Sequence, residues 1–171
     1  MRHIRFFISA LFVFALLLSF ISWLMPSKVM LARTVMVAAD RRQILTQLTN
    51  LKNWRNWNPY FHDMPEDRMV LQNSNQLVWK ENKSILRMLL IDVSKDQVLL
   101  RLEREGHYPM NNSVSIQQID DNPGFQVEWR VSGSLPWYPW ERFAAIFFDK
   151  TAGPSYEDAL ASLKEFCEKN N

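Results

Sequence analysis

The chain has a single cysteine, Cys167, among its 171 residues, so it can form no internal disulfide and no cysteine-based metal site. Its three histidines, His3, His62 and His107, stand apart with no H-x-x-x-H or H-x-E spacing, which argues against a metal centre. Glycine is scarce too. The four glycines (106, 124, 133 and 153) form neither G-x-G-x-x-G nor G-x-x-x-x-G-K, and there is no G-x-S-x-G elbow for a nucleophile. No cofactor is implied. An excess of one charge is also missing. The formal net charge is +2, and setting aside Arg2 and Arg5 takes 20 basic residues to 18, against 18 acidic ones. Nucleic-acid binding needs a basic patch or stripe, so a balanced, interspersed surface argues against it.

The longest absence is of charge between Arg5 and Lys28. At about 1.5 Å of rise per residue, Phe6–Ser27 makes a helix of roughly 33 Å, close to the ~30 Å hydrocarbon core of a bilayer. The run is apolar on every side, as lipid requires. Trp23 falls where an indole suits the headgroup layer, and Pro26 ends the helix. A cleaved secretory signal would have a shorter core and a small-x-small site, and Trp23–Met30 offers none. We therefore expect residues 1–28 to be an uncleaved single-pass anchor that meets the bilayer through residues 6–27. Arg2 and Arg5 on one flank and Lys28, Arg33, Arg41 and Arg42 on the other leave the basic count undecided. A short basic N-terminus usually stays in the cytoplasm, so we expect the rest on the non-cytoplasmic side.

Residues 29–171 are the size of one domain with one core. Val29–Ala39 alternates as a strand. Asp40, with Gln43 three residues on, reads as a capping box opening a helix whose Ile44, Leu45, Leu48 and Leu51 share a face. Trp54-Arg55-Asn56-Trp57-Asn58-Pro59-Tyr60-Phe61 follows. The period then becomes two: a weaker strand at Met69–Leu71, then Gln76–Glu81, Ile85–Val93, Val98–Glu103, Ser113–Ile119 and Phe125–Val131. Asn73-Ser74-Asn75, Glu81-Asn82-Lys83, Ser94-Lys95-Asp96 and Asp121-Asn122-Pro123-Gly124 separate them as turns, short enough to make neighbours antiparallel. Helical spacing returns with Trp140, Phe143, Ala144, Phe147 and Phe148. Gly153-Pro154 reads as an interruption, and Ser155 as the cap of a last helix carrying Tyr156, Ala159, Leu160, Leu163, Phe166 and Cys167. The class is α+β: an antiparallel sheet wrapped around a C-terminal helix, preceded by one transmembrane helix.

Three segments carry a family resemblance: Met25-Pro26-Ser27-Lys28 leading into Leu31–Val37, Leu51–Tyr60 with its Trp-x-x-Trp-x-Pro, and Val127–Gly133 before the aromatic C-terminal helix. In these the chain resembles the helix-grip (SRPBCC) superfamily of START lipid-transfer, Bet v 1-like and polyketide cyclase-like proteins. It is most similar to a membrane-anchored bacterial subgroup labelled polyketide cyclase/dehydrase-like. The chain departs from the subgroup in having Ala39-Asp40 where an Ala-Pro pair is common, and in its Trp-rich run Pro136–Trp140. The resemblance implies a bacterial inner-membrane protein with an apolar cavity between sheet and C-terminal helix. Such a cavity suits a small apolar or lipid-like ligand. The candidate lining is Trp54, Trp57, Tyr60, Trp79, Arg87, Trp129, Phe143 and Phe147.

Each candidate has a plainer alternative: core packing for the tryptophans and the Phe143/Phe147 stripe, and solvation of its head for Arg87. Arg87 shares a row with Ile85, Leu89, Ile91 and Val93, but the opposite row of Leu86, Met88 and Leu90 is apolar as well. A cyclase or dehydratase would need inward titratable groups, for which Arg33, Arg87, Tyr60, His107 and Tyr108 are the candidates. An interaction module would expose Trp137 and Trp140 together. The sequence sets no oligomeric state.

Overall fold

The computed structural model describes residues 2–119 and 124–170, so the turn expected at Asp121-Asn122-Pro123 lies outside the described residues. Helix α1 (Arg2–Leu24) precedes the body, and its most apolar stretch is not buried against anything in the structure. Among the described residues it is the one helix long and apolar enough to cross a membrane.

Strand β1 (Lys28–Val37) leads to α2 (Arg41–Thr49), a 3-10 turn (Leu51–Asn53), α3 (Trp54–Trp57) and α4 (Pro59–His62). A meander follows: β2 (Met69–Gln72), β3 (Gln76–Glu81), β4 (Ser84–Val93), β5 (Gln97–Arg104), β6 (Met110–Gln118) and β7 (Phe125–Ser134). Helices α5 (Pro139–Ala145) and α6 (Phe148–Lys169) close the chain. The seven strands are antiparallel in the order β1-β7-β6-β5-β4-β3-β2, so the α2–α4 segment carries the chain from one edge of the sheet to the other. Two tight reversals rest on asparagines in the left-handed region, Asn73 (φ 62°) and Asn82 (φ 53°), a conformation that Asn tolerates. A bulge between Leu90 and Asp92 on β4 bends the sheet.

The concave face holds one continuous core. Leu31 and Val37 of β1, Leu77 and Trp79 of β3, Val98 and Leu100 of β5, Val114 and Ile116 of β6, and Val127, Trp129 and Val131 of β7 point into it. From the other side come Ile44, Leu48, Leu51, Trp54, Trp57 and Phe61, together with Ala159, Leu160, Leu163 and Cys167 of α6. At about 1.5–3 kcal/mol per large apolar side chain, this shared core holds α2–α4 and α6 on the sheet. Arg33, on the inner row of edge strand β1, reaches α6 and pairs with Asp149 (2.9 Å) and Glu157 (2.5 Å). It clamps β1 to α6, and these two carboxylates hold its guanidinium above its ordinary pKa, the hydrogen bond it donates to Glu157 foremost.

Two local expectations are corrected. Asp40 makes no side-chain cap, and Gln43 instead donates its amide to the Cys167 carbonyl (3.0 Å), tying α2 to α6. Gly153-Pro154 does not interrupt the last helix, which runs unbroken through both. Pro154 is exposed, so water can serve the carbonyl that loses its partner. Gly153 leaves room for the clamp, because a Cβ there would stand 2.4 Å from an Arg33 guanidinium nitrogen and push that head aside.

The junction of α1 with the body is built from named bonds. Arg142 of α5 donates to the Ser22 (2.7 Å) and Met25 (3.0 Å) carbonyls, and to that of Pro136 (3.3 Å). Buried Ser22 donates its hydroxyl to the Trp137 carbonyl (3.0 Å), and the Leu135 amide bonds the Ser27 carbonyl (2.8 Å). The end of a helix leaves carbonyls without partners and favours a cation, and Arg142 supplies both donor and charge.

Candidate functional site

Helices α3, α4 and α6 and the inner faces of β3, β4, β5 and β7 border an open-mouthed cavity of about 290 Å³. Its walls are mainly rings and alkyl groups: Trp54, Phe61, Trp79 and Trp129, with Leu86, Met88, Leu102 and Ala159. The rings brace one another edge to face. Phe61 meets Trp79 at 5.1 Å, Trp54 meets Trp129 at 5.7 Å, and Trp129 meets Tyr156 at 5.3 Å. Such pairs contribute about 0.5–1.5 kcal/mol each beyond burial, which makes the wall stiff.

Local sequence explains how this wall is held. Asn58 accepts from the Tyr60 amide (3.0 Å) and caps α4, while Pro59 occupies its first turn, where a missing N–H does no harm. The Trp-x-x-Trp-x-Pro segment therefore folds into two short helices that aim Trp54 and Phe61 at the sheet. Every indole N–H of this wall is already used. Trp54 donates to the Leu48 carbonyl (3.0 Å), Trp79 to the Tyr60 hydroxyl oxygen (3.0 Å) and Trp129 to Asn112 Oδ1 (3.0 Å). The cavity thus meets ring faces, not free indole donors.

The polar groups in its lining are few: Asn58, Tyr60, Glu81, Ser155 and Tyr156. Burial pushes the Tyr156 phenol up to about 12, and its hydroxyl donates to Asn112 Oδ1 at 3.4 Å. Burial also raises Tyr60, opposed by the bond from Trp79 and aided by nearby Glu81. Both phenols hold their protons at neutral pH; that of Tyr156 is engaged by Asn112, whereas Tyr60, which accepts from Trp79, can donate a hydrogen bond or orient a carbonyl. A second hollow of about 460 Å³ meets the first at Leu86 and Leu102. It continues to the end of the sheet where β1 begins, bordered by Val29, Tyr108, Leu135, Tyr138 and Glu141.

Of the residues expected from the sequence, Trp54, Tyr60, Trp79 and Trp129 line the cavity. Trp57 is buried behind them, 5.3 Å from Trp54 and 6.5 Å from Trp129, with its indole donating to the Gln47 carbonyl. Arg87 lies on the outer face of β4, because Leu86 and Met88 take the inner row. Phe143 (37 % exposed) and Phe147 (58 % exposed) face outward near α5. They share a helical face, as their spacing requires, but that face looks away from the sheet. Trp137 and Trp140 are exposed together, at 66 % and 67 %. Phe61, Asn58 and the buried Asn112 were not among the expected site residues. Asn112 could have been found as the polar member of an otherwise apolar row with Val114 and Ile116.

No family profile matches the chain, and no curated protein matches it. Solved structures do. The di-domain ARO/CYC StfQ of the steffimycin biosynthetic pathway superposes with a TM-score of 0.65 at 12 % identity, over 84 % of this chain and 51 % of StfQ. This chain thus spans about half the length of that protein. A START superfamily protein from Mycobacterium smegmatis gives 0.57 at 16 % identity, over 84 % of this chain and 99 % of its own. XoxI from Bacillus cereus gives 0.59 at 11 %, over 81 % and 95 %. The fold is the START-like helix-grip, seven antiparallel strands around a C-terminal helix, preceded here by an apolar helix.

Proposed function

We propose that the chain is a membrane-tethered binding protein for one small apolar molecule, held between the curved sheet and α6. The aromatic cavity carries this reading. Its volume of about 290 Å³ lies at the low end for ligand pockets, roughly that of ten waters in the liquid. A ring system or a short chain suits it better than a whole two-chain lipid. Tyr60 can donate, and the Tyr156 hydroxyl oxygen accept, the few polar contacts that would orient such a ligand.

The test is binding of a dansyl-labelled medium-chain fatty acid to residues 29–171, once circular dichroism shows that this part is folded. We expect one saturable site, with a change in tryptophan emission. Ala159→Phe, which fills the cavity from α6, should abolish it. A wild type that binds no probe overturns the reading. A cyclase-like enzyme in the same cavity is the weaker alternative, since the candidate acid–base groups there reduce to Tyr60, Tyr156 and Glu81. For location, we propose an inner-membrane anchor with the body outside the cytoplasm. A reporter fused to the C-terminus should then be active only in the non-cytoplasmic compartment, and cytoplasmic activity would reverse the orientation.

A further inference from the structure

Segment 137–147 has the reverse of a soluble protein's pattern. Its exposed side chains are Trp137, Tyr138, Trp140, Phe143, Ile146 and Phe147, together with the small Ala144. Its two charged residues are turned inward, Glu141 to the second hollow and Arg142 to the end of α1. Among the described residues, neither the Trp137 nor the Trp140 indole N–H has a partner in the protein, unlike those of the cavity wall. Apolar patches of this kind mark contact surfaces. Tryptophan and tyrosine with free polar edges are the residues of a membrane–water interface.

The position of the patch identifies the occupant. Arg142 and Ser22 bind this segment to the last turn of α1, where Trp23 is itself exposed, so the patch continues directly from the helix proportioned to span a bilayer. Exposed Tyr108, in the β5–β6 loop, lies at the same end of the sheet. We propose that the aromatic face of 137–147 is a bilayer-docking surface, held against the end of α1 by Arg142, so that the body rests on the membrane in one fixed pose. This rests on the anchor half of the proposed function and not on its cavity.

The test uses the full chain, with Cys167→Ala, in vesicles of phosphatidylcholine and phosphatidylglycerol. A nitroxide is placed at Leu16→Cys, Ala144→Cys, Ile146→Cys or, at the far end of the sheet, Lys95→Cys. Collision with oxygen relative to a water-soluble nickel chelate reads depth. The expected result is an oxygen preference at 16, 144 and 146 several-fold above that at 95. Arg142→Ala should then loosen the label at 146 and lower its preference. Lipid contact at 16 with aqueous signals at 144 and 146 overturns the docking surface while leaving the anchor standing. Aqueous signals at all positions overturn both. Spin–spin broadening at 144 and 146 without oxygen preference would assign the face to a second copy of the chain. An Arg142→Ala chain as ordered and as deep as the parent would overturn the fixed pose.

Discussion

The protein has two aromatic clusters made of the same kinds of residue, and they meet opposite fates. Trp54, Trp79 and Trp129 stand inside with every indole N–H paired, whereas Trp137 and Trp140 stand outside with theirs open. Composition does not distinguish the clusters. What does is the element each sits on: strand rows and helix faces turned to the concave side in one case, and a segment pinned to the end of α1 by Arg142 and Ser22 in the other. An aromatic residue inside contributes through burial and ring contact. One outside contributes only if something covers it.

The largest test of this contrast is Trp54→Ala. It should lower the unfolding free energy in detergent by about 3–5 kcal/mol, because the surrounding rings cannot close over the void. A loss no larger than that of a surface substitution would break the contrast. Next is Asn112→Ala, which removes the acceptor shared by Trp129 and Tyr156 and should cost about 1–3 kcal/mol by leaving buried donors unpaired. A neutral outcome would mean that the rings hold themselves in place.

A smaller effect follows from the phenol. Tyr156 keeps its proton to about 12 in the fold but only to about 10 when exposed, so the unfolded chain loses that proton first. Its share of the stability is complete below about pH 10 and is lost as pH rises towards 12. Denaturant titrations across that range should show the decline, and Tyr156→Phe should lessen it, leaving the part due to the buried Cys167 thiol, which burial pushes up to about 11. The smallest expected change is in Trp140→Ala, within about 0.5 kcal/mol of the parent. A larger loss would mean that the outer cluster is core after all.

Much of the fold was legible wherever period and burial agreed. Gln76–Glu81 is a strand over the expected residues, and Phe125, Val127, Trp129 and Val131 share the inward row of β7. The stripe from Tyr156 to Cys167 likewise faces the core. The errors arose where a local rule met a long-range demand. Gly153-Pro154 has the composition of a break, yet Arg33 needs the space above that glycine and α6 needs the length. Asp40 and Gln43 have the spacing of a cap, yet Gln43 is taken by Cys167. The site was legible only in part, because spacing says which residues share a face but not which way it looks. Arg87 failed since both rows of β4 are apolar, and Phe143 and Phe147 since an outward-facing stripe has the same period as a core-facing one.

The second hollow ends beside Leu135, Tyr138 and Glu141, next to the last turn of α1. In the proposed pose, an apolar molecule could pass between the bilayer and the ring-lined cavity without crossing bulk water. Water is the barrier in such transfers, at about 0.8 kcal/mol for each methylene exposed. Exchange would then depend little on chain length and on the aqueous solubility of the ligand, and mainly on how often Leu86 and Leu102, where the two hollows meet, move aside.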